Sequence, residues 1–446
     1  MQGQHKHIPY TRVIAFTFLM IIAIGTLLLC LPVAARDGRW TSLPDAAFTA
    51  TSATCVTGLV VFDTYTHWSV FGQLVILAMI QIGGLGFMTF IAAFSMMLRR
   101  RIGLQERRLL MQSSGNMQYD GVLTLIRRVV CGTVLIEAAG AALLSLRFCR
   151  EMGVPRGIYT AVFHAVSAFC NAGFDIMGQR QPFGSLTAYA GDALVSLTLC
   201  ALIIVGGIGF LVWEDVLRHG IHVKQYSLHS KIVLVTTGIL IFFGWVAFFF
   251  LEKNHSMAGM SVGERVIASL FQSVTTRTAG FNTVDQASLS NAGTVLSVFL
   301  MLVGGSPGST AGGMKTMTLA ISFISIFGMA KNRRDVIAFR RRLDEQQVRQ
   351  ALIIVGVYTV LVLCSVTAIS IWEPEGLRAI TFEVVSALAT VGLTAVGTAQ
   401  FTLLSRMILM ILMYVGRLGG LSLVLMLAEQ RTIVPLDRPT EKVLIG

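Results

Sequence analysis

Four short segments of the chain end alike. They read TSATCVTGL ending at Leu59, VSAFCNAGF ending at Phe174, SVTTRTAGF ending at Phe281 and VSALATVGL ending at Leu393. Aligned without gaps, each closes on a glycine followed by a bulky apolar residue: Gly58, Gly173, Gly280 and Gly392. Glycine permits backbone angles that other residues avoid, so a chain can unwind there and turn its carbonyls aside. Four such loops meeting on one axis would offer carbonyl oxygens to a dehydrated cation. One copy alone would read as a helix end; four copies in matching places do not.

The elements around each segment repeat as well. A first apolar helix is expected at about 13–35, 122–148, 230–251 and 349–372. A less hydrophobic stretch of about 11 residues follows, too short to span a bilayer, which takes about 20. After the glycine a second apolar stretch returns, at about 69–98, 188–217, 291–329 and 400–428. The short stretches read as re-entrant helices, with Asp45 after Pro44 as one cap and Ser261 with Glu264 as a capping box. Descending from outside, their carboxyl ends carry partial negative charge toward the membrane centre, which favours a cation. Non-helical backbone at that depth must face protein or water.

The fold class is therefore all-α integral membrane. Four helix–pore-loop–helix repeats, eight spanning helices plus four re-entrant pore helices, take a pseudo-fourfold arrangement around one pore. The repeats cover 13–98, 122–217, 230–329 and 349–428. The amino terminus 1–12, the loops 99–121, 218–229 and 330–348, and the carboxyl terminus 429–446 are expected in the cytoplasm.

Composition agrees. Of 446 residues 54% are hydrophobic and 13% charged, against about 25% charged in soluble domains. The net charge of +12 does not point to nucleic acid. Basic residues gather in short loops, as at Arg99, Arg100, Arg101, Arg107 and Arg108, then Lys331, Arg333, Arg334, Arg340, Arg341 and Arg342. That is the positive-inside pattern, although the stretch from Lys331 to Arg349 also suits a regulatory partner or anionic lipid. The first apolar run, Val13 to Leu31, is longer than a signal-peptide core and is kept as a mature helix. The seven cysteines show no paired metal spacing, and no nucleotide-binding fingerprint opens a soluble domain.

The third returning stretch is interrupted by Gly304, Gly305, Ser306, Pro307, Gly308, Ser309, Thr310, Ala311, Gly312 and Gly313. In a continuous helix glycine costs about 1 kcal/mol and proline about 3, so the helix is expected to break into a mobile constriction below the filter. Arg417 sits mid-span in YVGRLGG; intramembrane charges face the interior and have partners. It either pins the Gly-rich loop through its carbonyls and opposes a cation, or snorkels to the cytoplasmic face. Lys315, just after the loop, is expected closer to the interior surface. Glu137 is read as a helix–helix hydrogen bond or salt bridge before a coupling-ion site. Arg277 is read as a brace for the pore loops before a repulsive charge. Cys55 and Cys170 are read as packing residues before soft-metal ligands.

From about Thr11 to Ala428 the chain resembles the Trk/Ktr/HKT superfamily of potassium transport proteins, and among them the Ktr-type membrane subunits. The most specific parts are QSVTTRTAGFNT (Gln272 to Thr283) and GGSPGSTAGGMKT (Gly304 to Thr316). The resemblance implies a selectivity filter at Val56, Thr57 and Gly58; Asn171, Ala172 and Gly173; Thr278, Ala279 and Gly280; and Thr390, Val391 and Gly392. It implies potassium as the bound ion, with sodium a candidate activator and no covalent cofactor. It assigns the Gly304–Gly313 loop a gating role. It further implies a homodimer in the cytoplasmic membrane and a cytoplasmic RCK-type nucleotide-binding subunit of the TrkA/KtrA kind. Glycine in all four loops goes with potassium in this superfamily, whereas serine in the first goes with sodium. The competing function is a sodium- or proton-coupled potassium symporter; a membrane enzyme lacks any metal cluster or nucleophile pair in the spans.

Overall fold

The computed structural model of the chain describes residues 10–86, 122–331 and 335–419. The Arg99–Arg108 cluster, Arg333, Arg334 and the carboxyl tail lie outside the described residues, as do the far ends of stretches 69–98 and 400–428. The described chain is helical apart from one hairpin, Ile337–Ala338 paired with Arg341–Arg342.

Four helices, Tyr10–Cys30, Val122–Met152, Leu228–Leu251 and Glu345–Ile369, are long and apolar enough to cross a membrane. Their outward faces are greasy: Leu135, Phe242, Phe250 and Leu363 are all more exposed than buried. Polarity is concentrated inside instead. The short helices Leu43–Cys55, Val154–Phe169, Val262–Thr275 and Leu377–Leu388 bury Ser52, Ser167, Thr275 and Ser386 along with Phe48, Phe163, Phe271 and Phe382. A soluble fold would reverse this distribution.

Local chemistry explains where the short helices begin. Ser261 and Glu264 form the expected capping box. In the first short helix Ser42, and not Asp45, is the cap: its hydroxyl accepts from the Asp45 N–H and donates to the Asp45 carboxylate. Asp45 stands in the first turn, where its charge meets the positive helix end and the Arg406 guanidinium at 2.7 Å.

Of the returning stretches, 188–217 departs from expectation, because it is not one straight spanning helix. Ala193–Ile208 turns by 96° at Gly209 into Phe210–His219. Gly209 has φ +100°, and the Phe210 N–H leaves the helix to bond the Gly308 carbonyl at 2.8 Å. Asn291–Leu302 and Thr316–Ala330 flank the Gly-rich loop, so the break expected there is present. Val70–Leu85 ends at Gly86 and Leu403–Leu418 at Gly419, with φ of +80° and +83°. An apolar run gives hydropathy no sign of these turns, since glycine changes the backbone without changing the polarity.

Candidate functional site

Each short helix ends by passing into a residue with left-handed backbone: Val56 (φ 58°), Asn171 (58°), Thr278 (67°) and Thr390 (53°). For an L-residue this conformation costs about 1–2 kcal/mol. Two residues on, Gly58, Gly173, Gly280 and Gly392 also have positive φ. The same strained turn occurring four times in one chain indicates a constraint on the carbonyls it redirects.

The four glycines form a closed ring. A Cβ added to Gly58 would lie 2.5 Å from the Ala172 carbonyl oxygen, and one on Gly173 would lie 2.7 Å from that of Ala279. Gly280 faces the Val391 carbonyl more closely still, and Gly392 faces the Thr57 carbonyl, which returns the circuit to the first segment. The carbonyl preceding each glycine therefore abuts the neighbouring segment's glycine, and no side chain fits between.

Hydroxyls buried in the short helices hold these loops. Ser52 and Ser386 accept from the Gly58 and Gly392 N–H groups, each at 3.1 Å. Ser167 and Thr275 donate to the Phe174 and Phe281 carbonyls, each at 2.7 Å. The hydroxyls of Thr57 and Thr390 are buried without a protein partner. In the orientation that hydrogen bonding favours, the Asn171 amide nitrogen donates to Ala168 and Ile203 carbonyls at 3.1 and 3.2 Å. That side chain is turned to its own helix end and its neighbour.

On one side the ring opens to a cavity of about 410 Å³ lined by all four glycines and by Asp63, Asp175 and Asp285. On the other lies the Gly-rich loop. A Cβ on Gly312 would strike Thr390, and one on Gly313 would lie 2.8 Å from the Ala389 carbonyl. The loop is stitched to its surroundings: Ser306 N–H donates to Gly207 (2.9 Å), Thr310 Oγ1 to Phe169 (3.0 Å) and Arg277 to Gly304 (3.3 Å). Arg417 donates to the carbonyls of Thr310, Gly83 and Gly84, so its charge points inward to three acceptors instead of snorkelling. Lys315 Nζ donates to Ala311 at 2.6 Å.

Other singled-out residues are also placed. Glu137 accepts from Gln81 Nε2 at 3.1 Å, a helix–helix hydrogen bond, and Gln81 Oε1 receives the Cys170 thiol at 3.5 Å. Cys55 is fully buried. Sequence reasoning passed over Gly83, Gly206 and Gly416, on which a Cβ would collide with the carbonyls of Thr54, Phe169 and Leu388. A signal was present: GGLG at 83–86, GGIG at 206–209 and GRLG at 416–419. In that alignment Arg417 occupies the place of Gly84 and Gly207.

The family described as TrkH, cation transport protein, matches residues 5–434. The chain is 38% identical to the potassium/sodium uptake protein NtpJ of Enterococcus hirae, covering 99% of this chain and 98% of that one. It is 36% identical to the Ktr system potassium uptake protein B of Vibrio alginolyticus, over 98% and 94% of the two chains. The protein of the same name from Bacillus subtilis is 37% identical over 94% and 93%. The crystal structure of the potassium transporter TrkH from Vibrio parahaemolyticus shares the fold, with a TM-score of 0.73 over 96% of this chain and 86% of that one, at 17% identity.

Proposed function

The chain belongs to the TrkH family of cation transport proteins, and from that premise we propose that it is the potassium-conducting membrane subunit of a Ktr-type uptake system. The observation that carries this reading is the closed ring of four glycines, each against the preceding carbonyl of its neighbour. In the proposal the four helix–loop–helix units surround one pore. The triplets ending at Gly58, Gly173, Gly280 and Gly392 form the selectivity filter, whose carbonyls replace the water around potassium. The buried, unpartnered hydroxyls of Thr57 and Thr390 are suited to the ion or its accompanying water.

The Gly304–Gly313 loop is the gate, pinned by Arg417, with Arg277 tying it to the third filter segment. Eight passes put both termini in the cytoplasm of a cell-membrane protein. The chain works as a homodimer, and control comes from a cytoplasmic RCK-type nucleotide-binding subunit. Purified protein in liposomes should carry potassium in preference to sodium. In Gly58→Ser the new Cβ would press on Ala172, and the preference should fall by about tenfold, a change of about 1.4 kcal/mol. If sodium is the principal ion, this substitution changes little. If the chain is a symporter, flux saturates and requires a co-ion at a fixed ratio.

The acidic outer cavity makes a second expectation. Burial raises the Asp175 carboxyl to about 6, opposed by the Met177 N–H and reinforced by the nearby Asp63 charge. Above that pH the carboxylate attracts cations; below it the attraction is lost. Apparent potassium affinity should therefore weaken as external pH falls through about 6. Asp175→Asn should flatten that step, and superimposable pH profiles for both proteins would rule the role out.

A further inference from the structure

We infer that Glu383 is a positioning residue that fixes the fourth filter segment and thereby sets ion preference; the inference rests on the filter reading above. Glu383 lies on the short helix Leu377–Leu388 and has no solvent exposure. One carboxylate oxygen accepts from Thr398 Oγ1, and Oε2 has no partner. It enters no ion pair among the described residues. A buried acid without a cation is costly to place, and inside a membrane protein it marks function before packing.

Its position is singular. With the four filter glycines aligned, Thr49, His164 and Phe271 stand where Glu383 does. Thr49 and His164 bond carbonyls of their own helices, Asp45 and Thr160, and Phe271 is apolar. Glu383 reaches out of its helix to the chain that follows Gly392.

The hydroxyl braces show why such a reach is needed. In the second and third segments Ser167 and Thr275 grip the carbonyl beyond the glycine. In the first and fourth, Ser52 and Ser386 grip only the glycine N–H. The outer arm of the first segment is held instead by Asp63, which accepts from the Tyr65, Thr66 and Phe183 N–H groups. The outer arm of the fourth turns through Gly397 (φ +87°), whose N–H bonds Thr394 Oγ1 at 2.9 Å. Thr398, the residue that follows this turn, is the one Glu383 engages. Without that anchor, no hydrogen bond from the short helix holds the chain beyond Leu393 among the described residues, and the Val391 carbonyl loses its setting against Gly280.

The test is potassium and sodium flux in liposomes for wild type, Glu383→Ala, Glu383→Gln, Thr398→Val and the Glu383→Ala/Thr398→Val pair. Glu383→Ala should lower potassium preference at least about fivefold and raise the apparent KM for potassium more than it lowers maximal flux, an effect of about 1 kcal/mol. Thr398→Val should shift both in the same direction. The double variant should be no worse than the more affected single one, as for two partners in one bond. Glu383→Gln keeps the acceptor oxygen and should restore preference to within about twofold of wild type. Wild-type preference in Glu383→Ala and Thr398→Val overturns the inference, and so does a Gln variant as impaired as Ala. If Glu383→Ala does not fold, Thr398→Val and Glu383→Gln decide alone. Wild-type protein without potassium preference refutes the filter reading itself, a separate result.

Discussion

Gly392→Ala should abolish potassium flux, lowering it by at least about 100-fold, equivalent to about 2.7 kcal/mol on the conduction barrier. The backbone at Gly392 has φ +92°, a conformation that costs any L-residue about 1–2 kcal/mol. The added methyl would also press into the Thr57 carbonyl and lie 2.9 Å from the Gly58 Cα. Both neighbours are backbone, so no rotamer change can relieve the contact. Relief requires moving a carbonyl that the proposal assigns to the ion. The measurement is potassium flux in liposomes, with gel filtration of the detergent-extracted protein to establish that it remains folded. A folded Gly392→Ala protein conducting as wild type would remove the glycine ring from the ion path.

Arg417→Ala should act in the opposite direction, raising flux through the chain alone by at least about tenfold. That change needs only about 1.4 kcal/mol, and hydrogen bonds from a charged donor contribute about 1.5–3 kcal/mol each. Arg417 makes three, to Thr310 in the Gly-rich loop and to Gly83 and Gly84 on another helix. Its removal unpins the loop and, in the proposed gate, withdraws a positive charge from the cation's route. Arg417→Lys separates these effects. It keeps the charge, but a single ammonium cannot span the carbonyls that a planar guanidinium bridges. Its flux should fall between wild type and Ala. Deleting Gly305 to Gly312 should give the largest increase; unchanged flux in the deletion would show that the loop is not the constriction.

The parts of the site legible in the sequence were those with unusual backbone demands. Gly58, Gly173, Gly280 and Gly392 stood out because a left-handed turn leaves few residue choices, and the repetition separated them from ordinary helix ends. The Gly304–Gly313 loop stood out because glycine and proline are expensive in a helix. Arg417 stood out because its charge interrupts an apolar run. Other features left weaker marks. The bend at Gly209 lies in an apolar stretch where hydropathy is continuous, and only the GGIG at 206–209, echoed by GGLG at 83–86, betrays it. Asp45 looked like a cap because it follows Pro44, but Ser42 precedes it and the helix begins one turn earlier. Glu383 left no mark as a brace because its partner, Thr398, follows Gly392 and meets it only when the chain doubles back.

The sharp turn at Gly209 has a mechanical consequence. Phe210–His219 contains 10 residues, and at about 1.5 Å per residue it is a stiff arm of about 15 Å. Its inner end is fastened to the Gly-rich loop by the Phe210 N–H to Gly308 bond. The outer end carries Arg218, which is exposed, and His219, which is half-buried. A force applied at that outer end therefore acts about the Gly209 pivot with the advantage of a crank. A small torque far from the glycine ring is delivered to the loop as a pull on one peptide group.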